Sequence, residues 1–278
     1  MNENMYLTRI TDKNLKNFEN LIINDRIKGL RLPGAGCING YGEETGVIFV
    51  DTDGDGLIIR YLFVDPFFRN EGSGSMLLKA AFDMANAAGL KFIDAFFYDW
   101  APGLEEFFLR NGYLVSRGFP VYTLQLDDLI DSPEFEAYSV ESDRFMRISE
   151  LDGKLRQKPD ELIKNSGYSL FDLGYNADLS YVYIDQNGRI GSCIIAAANY
   201  PEDTLMIELL INTEQNKTTV VAGLFKTLLK SVKDCFPGDL KLEFVCSSNK
   251  VFSGAKMFAL SREDLNLKGY VLHALKAV

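Results

Sequence analysis

From Phe63 to Leu78 the chain reads Phe-Val-Asp-Pro-Phe-Phe-Arg-Asn-Glu-Gly-Ser-Gly-Ser-Met-Leu-Leu, with Gly72 and Gly74 where an apolar run ends and a helical period begins. The first N–H groups of a helix have no partner inside it, and the helix dipole adds positive charge there. Such a junction can take a phosphate or pyrophosphate. Glycine lets ligand oxygens approach main chain that a Cβ would shield, and Arg69 adds a cation. Gly-x-Gly alone fits a plain tight turn equally well. No Gly-Lys-Ser/Thr follows, which excludes a Walker loop, and the three-glycine dinucleotide fingerprint is absent.

Two other groupings carry less. Asp51, Asp53, Asp55 and Gly56 copy the opening of a calcium loop, but the twelfth place is Leu62 instead of a bidentate Glu. A hairpin turn between residues 46–50 and 57–64 is the better reading. The single histidine, His273, excludes HExxH sites and any site built on two imidazoles, and leaves a Ser-His-Asp or Cys-His arrangement only if His273 is the base. A lone histidine is expected to be structural or exposed. Cys37, Cys193, Cys235 and Cys246 lack CxxC spacing, which fits neither a zinc ribbon nor a disulfide scaffold.

The elements around the glycines alternate. Residues 5–10 read as a strand and 11–23 as a helix capped by Thr11 or Asp12; a strand near residues 37–42 and the hairpin follow. Met76, Leu77, Ala80, Ala81 and Met84 recur at helical spacing, and Gly89 closes that helix. Residues 91–98 form a strand, 103–111 a helix ended by Gly112, and 113–117 and 121–126 two more strands. This order predicts an α/β chain with an α+β mixed sheet and helices on its faces.

An acidic stretch with Pro133 separates residues 1–131 from a second module, 135–278. The second half repeats the order: an Asn-Gly hairpin across residues 181–197, a strand at 205–211 and an amphipathic helix at 220–232. A strand at 241–246, a helix through 257–260 and a last strand from Gly269-Tyr270 complete it.

The 278 residues are 47% hydrophobic and 24% charged, an ordinary globular composition. A net charge of −10 disfavours nonspecific nucleic-acid binding and docking on anionic lipid. The amino terminus lacks a signal-peptide pattern, and no stretch approaches the ~20 apolar residues of a membrane helix. A cytoplasmic protein is expected.

Val64-x-Pro66-x-x-Arg69-x-x-Gly72-x-Gly74-x-x-Leu77-Leu78 resembles the acyl-CoA signature of the GNAT superfamily of N-acyltransferases, Arg/Gln-x-x-Gly-x-Gly/Ala. The flanks agree over residues 1–130, with a hairpin before, and a strand, a helix and Gly112-Tyr113 after. The resemblance implies two tandem GNAT-like modules and an N-acetyltransferase using acetyl-CoA as cosubstrate, without metal. The acceptor would be an amine on a small molecule or peptide. It implies that pyrophosphate rests on the amides of Asn70, Glu71, Gly72, Ser73, Gly74 and Ser75 beside Arg69. It further implies that pantetheine pairs with the strand near Phe63 and Val64, and that splayed strands open a slot for the thioester. Direct attack of the held amine is then accelerated by orientation.

Two places depart from the family. Its thiolate-protonating Tyr is replaced by Phe108, and the carboxylate two residues before the strand's Leu by Arg60. Tyr98 and Asp99 stand in as catalytic candidates, although a capping role suits Asp99 equally; a thiol of pKa ~8.5 also leaves without a dedicated acid. A non-catalytic acyl-CoA-binding or regulatory protein is the alternative, and a structural unit a third. Phe67, Phe68, Phe96 and Phe97 are expected in the core, with Trp100 lining a pocket.

Laid on the first half without gaps, the second puts Ile211 on Val64, Asn216 on Arg69, Thr219 on Gly72, Val221 on Gly74 and Leu224 on Leu77. The charge and both glycines are gone, so the second module is expected to keep the fold without the cofactor, and to wall the acceptor site or form an interface.

Overall fold

The computed structural model describes residues 5–22, 32–130, 142–165, 176–199, 204–213, 218–235, 240–245 and 266–278. They fall into two compact units, Met1–Gly118 with Val271–Val278, and Phe119–Tyr270. Val271–Val278, which the sequence reading places in the second module, thus lies in the first unit. The composition break around Pro133 lies outside the described residues.

In the first unit, β1 (Tyr6–Ile10), β2 (Gly34–Ile38), β3 (Glu44–Asp53) and β4 (Gly56–Val64) pair antiparallel in sequence order. β4 then pairs in parallel with β5 (Phe92–Tyr98), whose other edge takes the end of β12 (Asn266–Ala277) antiparallel. The sheet is mixed, as the alternation predicts. Gly54 and Asp55 make the β3–β4 turn, closed by the Asp53↔Gly56 pair, and Gly54 takes φ +55°.

Helix α1 (Ser73–Ala87) buries Leu77, Leu78, Ala81 and Ala85 against Ile48, Val50, Leu57, Ile93, Ala95 and Ala274 on one sheet face. It closes at Gly89, φ +68°, and Leu90 donates back to the Ala85 carbonyl. Helix α2 (Leu104–Arg110) ends the same way at Gly112, φ +80°.

The opposite face is covered by a 3-10 helix over Leu15–Leu21, shorter than the expected helix at residues 11–23, whose Phe18, Leu21 and Ile22 meet Val47 and Phe49. Neither Thr11 nor Asp12 caps it. Asn14 holds that corner, accepting from the Thr11 amide at 2.7 Å and donating to the Arg9 carbonyl at 2.9 Å. Phe18 is 1% exposed and fills the space over Gly36, where a Cβ would come within 2.3 Å of its ring. Phe18→Ala is expected to cost about 3–5 kcal/mol, read as a lowered midpoint in urea unfolding.

β6 (Leu114–Gln125) is one strand where the sequence predicts two. Gly118 and Pro120 do not interrupt it, and a Cβ at Gly118 would stand 3.0 Å from the Val271 carbonyl oxygen. In the second unit β6 pairs with β11 (Lys241–Val245), then come β10 (Thr204–Asn212), β9 (Ile190–Asn199), β8 (Tyr181–Ile184) and β7 (Phe145–Arg147). β10 and β11 run parallel, and the other neighbours antiparallel.

Two short helices, α3 (Leu126–Ile130) and α4 (Lys158–Asn165), precede the counterpart of α1 in the chain, and Ile163 of α4 is buried with Val182, Cys193 and Ile195. The counterpart, α5 (Thr218–Cys235), packs Leu224, Leu228 and Val232 on Ile194, Leu205 and Leu242. The Asn-Gly hairpin is present, its turn closed by the Asp185 carboxylate accepting from the Asn187 and Arg189 amides at 2.8 Å each. The helix expected through residues 257–260 lies outside the described residues.

Candidate functional site

The junction between β4 and α1 is built by local bonds. Asp65 accepts from the Phe67 amide at 2.9 Å and starts a 3-10 turn over Pro66–Phe68. Asn70 (φ +65°) and Gly72 (φ +101°) then take left-handed backbone, which reverses the chain into the helix. The Ser73 hydroxyl is buried, 3.0 Å from Thr45 Oγ1, which in turn donates to the Cys37 carbonyl. That contact fixes the helix start on the sheet. Arg69 folds back, its Nε donating to the Val64 carbonyl at 3.2 Å.

The first backbone bond into the helix is Met76 N–H to the Gly72 carbonyl, at 3.0 Å. Among the described residues, the amides of Asn70, Gly72, Ser73, Gly74 and Ser75 donate to no backbone carbonyl. Asn70, Glu71, Gly72 and Ser75 are exposed. This is a set of directed donors at the positive end of a fifteen-residue helix, suited to an oxygen-rich anion. Gly74 has a second reason to lack a side chain, because a Cβ there would lie 3.0 Å from the Phe107 ring.

Beside the junction the sheet opens. The parallel ladder of β4 and β5 runs from Gly56↔Phe92 to Ile59↔Ala95 and stops. At that step Arg60 is the extra residue of a β-bulge, since Val50 pairs with Ile59 and Phe49 with Tyr61. Tyr61 to Val64, including Phe63, stay on β3, while Phe96 to Tyr98 stay on β12. The two strands therefore part at Arg60 and leave unpaired edges facing a slot. Near Ser75 a cavity of about 230 Å³ is also lined by Leu78, Lys79, Phe82, Asn111 and Lys276.

Tyr98 ends β5 and stacks on Trp100 with ring centroids 4.4 Å apart. Asp99 is exposed in the turn after it, and α2 is capped by Gly103, so Asp99 caps no helix there. Phe67 is 90% and Phe96 58% exposed, against the expectation that both are core. Each stands where the chain leaves the covered part of the sheet. Phe108 is buried, stacked on Phe97 at 5.0 Å and edge-on to Tyr113 at 5.1 Å. The Tyr113 hydroxyl is buried with no hydrogen-bond partner, and burial pushes its pKa up. Tyr113→Phe removes an unsatisfied polar atom, so thermal unfolding is expected to show unchanged or up to about 1 kcal/mol greater stability.

Arg60 points into the sheet with its side chain 11% exposed, its guanidinium 3.5 Å from Asp51. Burial lowers its pKa and the Asp51 charge opposes that shift. Sequence reading missed one pair altogether: His273 Nε2 lies 2.5 Å from Asp94 Oδ1. The available signal was Asp94 itself, the one charged side chain between Phe92 and Tyr98.

The second unit repeats the opening with different residues. The β10–β11 ladder stops at Ile207↔Phe244, and Glu208 is the bulged residue between Ile207 and Leu209. The gapless overlay puts Ile207 on Arg60, so the bulges fall one residue out of step with it. The overlay does match the buried helix faces, Leu77 with Leu224 and Ala85 with Val232. Yet α5 starts at Thr218, so Thr219 is helical where the overlay puts the left-handed Gly72, while Val221, like Gly74, lies inside its helix. Asn216 lies outside the described residues.

Residues 34–113 match the acetyltransferase (GNAT) family. Among curated proteins no sequence matches significantly. Among solved structures, a tandem GNAT protein from the clavulanic acid biosynthesis pathway superposes with a TM-score of 0.66 at 12% identity, covering 99% of this chain and 98% of that one. A probable N-acyltransferase from Enterococcus faecalis V583 gives 0.60 at 13% identity, covering 99% and 73%. A GCN5-related N-acetyltransferase from Anabaena variabilis ATCC 29413 gives 0.59 at 12% identity, covering 98% and 72%. The strand order, the parting of β4 from β5 and the glycine junction agree with these findings: the chain carries a GNAT-family acetyltransferase domain at residues 34–113, within a mixed-sheet fold shared along its length with tandem GNAT proteins.

Proposed function

We propose that the first unit transfers an acetyl group from acetyl-CoA to an amine on a small molecule or peptide. The observation that carries this reading is the set of amides of Asn70, Gly72, Ser73, Gly74 and Ser75, which donate to no backbone carbonyl, at the mouth of α1 next to the step where β4 and β5 separate. When bound, acetyl-CoA supplies an activated acyl carbon and a leaving thiolate. The chain's own part is grip and orientation. The amides and helix dipole hold the diphosphate, and the free edge at Phe63 and Val64 pairs with the amide groups of the arm. Around the cavity beside Ser75, Lys79 is paired with Asp83 at 2.7 Å and Lys276 donates to the Asn111 carbonyl at 2.7 Å.

The second unit is read as a GNAT-like module without the phosphate junction, because Thr219, at the overlaid place of Gly72, is helical and neither glycine is kept. The acidic balance and the thiol state of Cys37 and Cys193, both buried and unpaired in disulfides, fit a reducing cytoplasm. Among the described residues no helix is long and apolar enough to cross a membrane.

A second reading, a non-catalytic acyl-CoA binder, is favoured by Phe108, which puts a buried ring where a hydroxyl would be needed. Free-thiol release from acetyl-CoA over a panel of amines separates the two. Acetyl transfer predicts amine-dependent thiol; the binder predicts coenzyme A binding with none. Cys37 and Cys193 are buried, and burial pushes the Cys193 thiol up to about 12, so these thiolates are expected to stay silent to a thiol reagent at pH 8 in native protein.

A further inference from the structure

We propose that His273, held by Asp94, takes the proton from the acceptor amine. This rests on the reading of the first unit as an acetyltransferase and supplies the base that the sequence leaves open. His273 and Asp94 are 179 residues apart in the chain, and Nε2 and Oδ1 meet at 2.5 Å. An ionised carboxylate only accepts, so Nε2 carries the proton and Nδ1 keeps its lone pair. The carboxylate is the more shielded partner, its side chain 15% exposed against 31% for the imidazole.

Register sets where the ring stands. Ala95 is the last residue of β5 paired with β4, and the next, Phe96, lies opposite His273. Their rings stack 4.7 Å apart and 9° from parallel. The imidazole is therefore level with the first open step of the slot. Ile93 and Ala95 are buried under α1, so by strand alternation Asp94, Phe96 and their cross-strand neighbour His273 face away from it. A donor gripped at the mouth of α1 with its thioester in the slot leaves that opposite face to the nucleophile. Of the other groups near the slot, Arg60 is tied to Asp51, Phe108 has no proton to exchange, and the Tyr113 hydroxyl is buried among apolar side chains.

In the step, the amine nitrogen forms a bond to the thioester carbonyl carbon and the C–S bond breaks with its electron pair leaving on sulfur. The N–H proton passes to Nδ1 of His273. The resulting imidazolium faces the Asp94 carboxylate, and water removes the proton afterwards. Asp94 is a positioning residue, fixing the tautomer that leaves Nδ1 open.

With one histidine in the chain, ¹⁵N-histidine NMR shows a single imidazole. Wild type is expected to give the Nε2-protonated tautomer, and Asp94→Asn a mixture of the two. His273→Gln is expected to lower kcat by roughly 100-fold or more with KM for acetyl-CoA unchanged, and added imidazole to restore part of the rate to His273→Ala. A wild-type proton on Nδ1, or wild-type kcat in His273→Gln, overturns the proposal alone. Wild-type protein that binds coenzyme A yet releases no thiol with any amine overturns the acetyltransferase reading and this proposal with it.

Discussion

Ser75→Glu is expected to weaken binding of coenzyme A roughly a hundredfold while leaving the fold intact. Ser75 is exposed in the first turn of α1 and its amide has no backbone acceptor, so the new carboxylate would sit among the donors proposed to hold the diphosphate. Coulomb repulsion between charges a few ångströms apart at a protein surface is worth about 1–4 kcal/mol, which converts to a loss of roughly a hundredfold in affinity. The same carboxylate is favourable for the helix itself, by about 0.3–1 kcal/mol, because it sits at the positive end of the dipole. Calorimetric titration with coenzyme A beside a thermal melt reads both effects. Unchanged affinity would remove the anion site from the junction. Gly74→Glu gives a less clean result, since a Cβ at that position already meets Phe107 at 3.0 Å and a lost fold would imitate lost binding.

Deleting Val271–Val278 is expected to prevent the first unit from folding. Seven cross-strand pairs, from Val271↔Tyr98 to Ala277↔Phe92, would be lost, together with the burial of Leu272 and Ala274 in the core. At about 0.5–1.5 kcal/mol for each backbone bond and about 1.5–3 kcal/mol for a buried leucine, the loss is on the order of the whole stability of a domain. It would also leave β5 as a bare edge. Trp100, the only tryptophan, stacks on Tyr98 at the end of β5 and reports the change directly. Its emission should move to that of exposed indole, and amide exchange should lose protection at Phe92–Tyr98. Native emission and normal coenzyme A binding in the shortened chain would show that β12 is dispensable to the unit.

Much of the strand-to-helix junction was legible from the residues alone. Asp65, Pro66, Asn70 and Gly72 act on their own backbone within a few positions, through one side-chain cap, one fixed φ and two left-handed residues, so their order reads directly as a strand-to-helix junction. The two hairpins and the faces of α1 and α5 were legible for the same reason: turn chemistry and helical period are local. The surroundings of the proposed slot were not. Tyr98 and Asp99 end a strand near the expected slot; Tyr98 stacks on Trp100 and Asp99 is exposed in the turn after it. Arg60 and Glu208 gave no sign of being bulged residues, because a bulge is a mismatch with a partner strand and has no pattern of its own.

The sequence by itself determined the glycine junction, the hairpins, the helix faces and the alternation that makes a mixed sheet. Tertiary structure alone decided that the last strand closes the first unit, that β6 runs unbroken past Gly118, and that the only imidazole meets Asp94. Side chains interact with their near neighbours in the chain whatever the fold does, so local features leave a local pattern. The pairing of residues 179 positions apart is set by which strand edges are left free once the sheet has assembled, and no window of residues records that.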